Sequence, residues 1–117
     1  MKKAFVIVLL VLALLGALAV PAVASVATNG TMRLEVGTTS TTFYGKVGCG
    51  FSWQRCRGAL HFYRQGIYVG SQNCNTTYSS QCYGARARNG LSCGALLVFA
   101  DVSNTGGNSI RGWYSAC

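Results

Sequence analysis

Beyond residue 30 the apolar positions come in short runs that alternate with polar ones and are broken by glycine, asparagine and serine. No window sustains the apolar period of an amphipathic helix, whereas threonine, valine, tyrosine and phenylalanine recur as they do in strands. The pattern predicts strands over roughly 31–36, 41–49, 58–65, 67–73, 78–88, 94–102 and 108–117. Short strands at this spacing predict an all-β domain, a small antiparallel β-sandwich.

The interruptions carry their own information. Gln65-Gly66 separates His61-Phe62-Tyr63 from Ile67-Tyr68-Val69, and Asn89-Gly90 is a type I′ hairpin signal because both positions tolerate positive φ. Ser103 to Gly107 reads as a loop. Centring that loop on Thr105 pairs Leu96 with Tyr114 and Val98 with Gly112. Leu96, Val98, Ala100 and Val102 then share an apolar core face with Ile110, Tyr114 and Ala116. Leu97, Phe99, Asp101, Arg111 and Trp113 fall on the other, mixed face. In the third strand Leu60 and Phe62 point inward and His61 outward, with Ala59 and Tyr63. The stretch from Tyr83 to Val102 resembles the late strand pair of an immunoglobulin-like domain. That resemblance implies an immunoglobulin-like general architecture and no particular function.

The first residues follow a different pattern. Lys2 and Lys3 precede an unbroken apolar run from Ala4 to Val20, and Ala22-Val23-Ala24 supplies a small-residue site before Ser25. These are the three parts of a cleavable signal peptide. The expected organisation is a signal peptide over 1–24 and a single secreted domain over 25–117. An uncleaved anchor is the competing reading, but the run sits at the short end of what spans a bilayer.

Cys49, Cys56, Cys74, Cys82, Cys93 and Cys117 all lie beyond that leader. An even number of cysteines in a small exported domain predicts a disulfide framework. Pairing in sequence order, 49–56, 74–82 and 93–117, closes three local loops, and the last pair agrees with the hairpin register above. A long-range bridge such as Cys49 to Cys93 is the rival. No pair has the spacing of a zinc site and there is one histidine, so neither a metal nor another cofactor is expected.

Charge then narrows the partners. Loss of Lys2 and Lys3 with the leader leaves seven arginines and Lys46 against Glu35 and Asp101. Arginine grips carboxylate and phosphate in bidentate fashion and stacks on aromatic rings. The expected partner is an anionic extracellular polymer, an envelope component or a protein surface, with nucleic acid less favoured. Two acids and one histidine are a poor inventory for acid–base chemistry, so a binding protein is expected rather than an enzyme.

The leading candidate contacts are Trp53, Arg55 and Arg57, carried on or beside a loop stapled by Cys49 and Cys56. Tryptophan and arginine dominate many interfaces, and a stapled loop loses less entropy on binding. Arg86 and Arg88, with Tyr78 and Tyr83, form a second basic aromatic candidate, and Arg111 and Trp113 a third. The alternatives are a secreted antagonist, either an antimicrobial protein or a protease inhibitor presenting Arg55, and a small basic ribonuclease using His61 and Glu35.

Overall fold

The computed structural model describes residues 22–50, 54–75 and 81–117. These residues fold into two four-stranded antiparallel sheets. The strands are β1 (Ala22–Asn29), β2 (Met32–Thr38), β3 (Thr42–Gly48), β4 (Cys56–Arg64), β5 (Ile67–Asn73), β6 (Gln81–Ala87), β7 (Leu96–Asn104) and β8 (Ser109–Ser115). One sheet has the order β1-β2-β3-β6 and the other β5-β4-β7-β8. The chain therefore crosses between sheets three times, from β3 to β4, from β5 to β6 and from β6 to β7.

Strand alternation builds the core. Leu60 and Phe62 of β4 and Leu96, Val98, Ala100 and Val102 of β7 are buried against Met32, Leu34 and Val36 of β2 and Phe43 and Val47 of β3. The Phe43 and Phe62 rings meet edge-on across the interface at 5.5 Å between centroids, a favourable arrangement for two ring quadrupoles. Gly45 and Gly84 are paired opposite each other on β3 and β6. A Cβ on Gly45 would press on Leu60, and one on Gly84 would press on Phe62 and Gln72. The two glycines thus leave the room that the large side chains of the facing sheet fill, as close packing requires.

The seven predicted strands are present within a few residues of their expected bounds, and β1 is an eighth. Its residues are small or polar and mostly exposed, so it has no strong period-two apolar pattern to announce it. The three disulfides are Cys49–Cys56, Cys74–Cys82 and Cys93–Cys117, with Cα–Cα distances of 5.5, 5.5 and 5.2 Å. This is the sequence-order pairing. The first two bridges staple the crossovers from β3 to β4 and from β5 to β6, so bonds that are local in sequence tie the two sheets together.

Two local expectations need correction. Asn89 and Gly90 do have positive φ, 54° and 72°, but they do not join a hairpin. β6 and β7 belong to different sheets, and the turn leads through a single 3₁₀ turn, Cys93–Ala95, into β7. Turn chemistry fixes the local bend, not the sheet to which the next strand goes. In the last hairpin Val98 pairs with Tyr114 and Phe99 with Trp113, two residues from the expected register. Asn104 is the cause. Its backbone N–H donates to Asn108 O at 2.9 Å, its side-chain oxygen accepts from Asn108 N at 2.9 Å, and its amide donates to Cys49 O at 2.9 Å. The loop therefore centres on Gly106. A shift of two preserves both faces, so the predicted core residues stay in the core.

Candidate functional site

The outer face of the β5-β4-β7-β8 sheet is built from cross-strand rows. One row runs Ser71, His61, Phe99, Trp113, and the next runs Tyr68, Tyr63, Leu97, Ser115. A bulge between Phe62 and Tyr63 sets the β5 partner back by one residue and brings Tyr68 opposite Tyr63. On the other side of the first row lies Asn73, Ala59, Asp101, Arg111, and beyond it Arg57, Ser103, Ser109. Half of the face is aromatic and half is polar and charged.

The five rings form one connected patch. Tyr68 to Tyr63 is 5.6 Å between centroids, Tyr63 to Trp113 is 4.8 Å, Trp113 to Phe99 is 5.0 Å, Phe99 to His61 is 6.1 Å and His61 to Tyr68 is 6.4 Å. Their planes are tilted or edge-on to each other. Despite this packing, Tyr68 and Trp113 remain 52% and 57% exposed, so water covers rings that could instead contact a partner. The Tyr68 hydroxyl donates to Ser71 Oγ at 3.0 Å, which fixes it at the edge of the patch.

Of the residues singled out from sequence, Arg111 and Trp113 fall on this face, both exposed on β8, and Arg57 is exposed at the start of β4. Arg55 is exposed just before β4, with its backbone N–H donating to Thr105 Oγ1 at 3.2 Å. Trp53 and Tyr78 lie outside the described residues.

Arg86 and Arg88 are placed differently. Arg86 lies on the inward side of β6, 5.0 Å over the Phe62 ring, and donates to Ser71 O and Ala85 O, each at 2.7 Å. Gly70, at φ +128°, leaves its guanidinium room. Tyr83 points to the opposite side of β6 and is half exposed, so Arg86 and Tyr83 do not form one surface. Arg88 donates to Thr39 O at 2.8 Å and to Leu91 O at 3.2 and 3.3 Å. These two arginines cap the sandwich and hold its turns through charge-assisted bonds to carbonyls.

The outer face of the other sheet carries a shallow cleft of about 380 Å³ lined by Val23, Glu35, Tyr44, Lys46, Gln81 and Tyr83. Tyr44 and Tyr83 stack at 5.9 Å, and Glu35 pairs with Arg33 Nε at 3.1 Å. Burial, and then the neighbouring Glu35 and Tyr83, raise the pKa of Tyr44 above its ordinary value. Glu35 thus lies on one outer face of the sandwich and His61 and Asp101 on the other, so the two acids and the histidine do not converge. Among the described residues no group of three metal-ligating side chains comes together.

Sequence reasoning named Trp113 but not the ring system around it. Period two had already put Phe99 on the mixed face and His61 and Tyr63 on one face. Their meeting depends on β4 pairing with β7, a contact between distant segments that no local pattern carries. No family model, curated protein or solved structure matches the chain.

Proposed function

We propose that this is a secreted, non-enzymatic binding domain whose outer β5-β4-β7-β8 face takes an anionic extracellular polymer or envelope component. The observation that carries the reading is the juxtaposition, on one sheet, of exposed aromatic rings with Arg111 and Arg57. Rings supply apolar contact at low entropy cost, and arginines select for charge. The leader sequence and the three disulfides support an exported protein. The separation of His61 from Glu35 across the sandwich supports binding over ribonuclease chemistry. An immunoglobulin-like relationship draws support from the order β5-β4-β7-β8, which parallels the C′CFG sheet of that fold, although β1-β2-β3-β6 departs from its ABED sheet.

The test is affinity for dextran sulfate as a function of salt. Binding should weaken steeply as salt rises, and Arg111→Gln and Trp113→Ala should each weaken it by about tenfold. Binding that ignores salt and both substitutions would overturn the proposal. A second reading has one observation in its favour: Arg55 is exposed beside the Cys49–Cys56 bridge, where a trypsin-like protease inhibitor would present a basic residue. Inhibition of trypsin that disappears in Arg55→Ala would favour that reading.

A further inference from the structure

Resting on that reading of the sheet face, we infer that its ligand is an acidic polysaccharide lying across the strands, with its sugar rings over the aromatic rows and its acidic groups toward Arg111. Three features of the face select this chemistry over a polyphosphate chain.

The first is the tilt of the rings. Tyr63 and Trp113 meet at 61°, Phe99 and Trp113 at 55°, and Tyr63 and Tyr68 at 65°. Successive unstacked bases are held by flat ring faces offered one per base. Here the rings pack on each other and leave Trp113 at one side and Tyr68 at the other as the two well-exposed surfaces. The apolar C–H face of a sugar needs only such a single exposed ring beneath it.

The second is distance. Tyr68 and Trp113 lie on β5 and β8, with β4 and β7 between them. Three strand spacings are about 14 Å, the reach of a short oligosaccharide. A chain running across the strands passes over Tyr68, Tyr63 or His61, Phe99 and Trp113 in turn. Ser71, Ser115 and the Tyr68 hydroxyl lie along the same path and offer hydrogen bonds to sugar hydroxyls.

The third is Asp101. It is exposed and stands directly opposite Arg111 in the row beside the rings. A carboxylate at that position repels a chain whose charges sit in the backbone linkages themselves, as in a polyphosphate, more than one whose acidic groups project to the side. A glycan has hydroxyls on every sugar, and a carboxylate accepts hydrogen bonds from them. Arg111, in the same row, then takes a uronate or sulfate group projecting from the side of the chain, in the bidentate geometry that arginine favours.

The experiment is calorimetric titration of the exported protein, recovered from the medium of a host expressing the full chain, with polygalacturonate oligomers, dextran sulfate and oligo(dT). Titrations are repeated with Trp113→Ala, Arg111→Gln and Asp101→Asn. We expect an acidic glycan to bind, Trp113→Ala and Arg111→Gln to weaken it by about tenfold, and Asp101→Asn to weaken it as well. Circular dichroism of each variant checks that the sheet is intact, and Tyr68→Ser, at the opposite end of the path, reports on the same site if Trp113→Ala unfolds. Oligo(dT) binding in preference to both glycans, strengthened by Asp101→Asn and weakened by Trp113→Ala, would overturn the glycan inference while leaving an anionic partner on this face. Absence of binding to all three, or a dimer in sedimentation that Trp113→Ala dissociates, would overturn both.

Discussion

Trp113 on β8 and Tyr63 on β4 meet edge-on at 4.8 Å although β7 runs between their strands. The indole reaches diagonally across β7 and also meets the Phe99 ring at 5.0 Å between centroids. Each such aromatic pair is worth about 0.5–1.5 kcal/mol beyond burial. Trp113→Ala is therefore expected to lower stability by about 1–3 kcal/mol and to leave the fold intact, because the indole is more than half exposed. Urea unfolding followed by far-ultraviolet circular dichroism checks this; loss of the sheet signal in water would make Trp113 a structural residue first.

Gly84 should be intolerant of even one methyl. The added Cβ would meet Gln72 Cβ at 2.6 Å and the Phe62 ring at 3.1 Å, both in the facing sheet. Gly84→Ala is expected to destabilise by about 1–3 kcal/mol through overpacking. The double variant Gly84→Ala with Phe62→Leu should recover part of that loss, since it reopens the space. Equal stability of Gly84→Ala and the parent chain would show that the sheets separate more easily than their packing implies.

Arg86 provides a contrast with Arg111. Its guanidinium donates to Ser71 O and covers Phe62, so Arg86→Gln is expected to cost about 1–3 kcal/mol in stability by leaving a carbonyl underpaired. Affinity for dextran sulfate should not change. Arg111→Gln should do the reverse, lowering affinity with little effect on unfolding. An exchange of these two outcomes would relocate the binding face to β6.

Tyr44 gives a pH prediction. Burial, with Glu35 and Tyr83 nearby, raises its pKa in the folded chain above the ordinary 10.0. The folded state thus holds the phenolic proton longer than the unfolded state. Its contribution to stability is complete below the ordinary value and is lost as pH rises through the folded value. Denaturant unfolding at increasing alkaline pH should show a decline that Tyr44→Phe makes shallower. A decline of the same steepness in Tyr44→Phe would assign the alkaline loss to other groups.

Processing should be visible at the same place. Val23 lines the cleft that Tyr44 occupies, and β1 is bulged between Val23 and Ser25. Ser25 Oγ donates to Ser115 O at 2.6 Å, which would hold a chain that starts at Ser25 against β8. Intact mass of the exported protein is expected to show Ser25 as the first residue. Such a chain lacks Val23, so its Tyr44 should titrate closer to the ordinary tyrosine range than in a chain retaining Ala22 to Ala24. A mass that includes Met1 would remove the cleavage reading.

Much of this fold can be read from the chain because strands with one buried face write their own pattern. Leu96, Val98, Ala100 and Val102 are predicted to point inward and do, even though the hairpin register differs by two residues. The disulfide pairing could also be read for Cys49–Cys56 and Cys74–Cys82, which close short loops. Cys93–Cys117 forms as expected, but not through the expected register, since Cys93 lies in the 3₁₀ turn before β7 and the strand pairing is two residues away from setting it opposite Cys117. β1 could not, since an exposed strand of small residues has no apolar face to reveal it.

Sequence alone determined the β class, the inward and outward sides of β4, β7 and β8, a preferred cysteine pairing and the scarcity of acids. These follow from period-two alternation, loop closure and composition, which are local properties. Tertiary structure decided which sheet each strand joins. It sent Asn89-Gly90 across the sandwich instead of into a hairpin, turned Arg86 inward over Phe62, and set β4 beside β7 so that His61, Tyr63, Phe99 and Trp113 share one surface. Those outcomes depend on contacts between segments far apart in the chain, where the closest packing of two whole sheets outweighs any preference a single turn or strand carries.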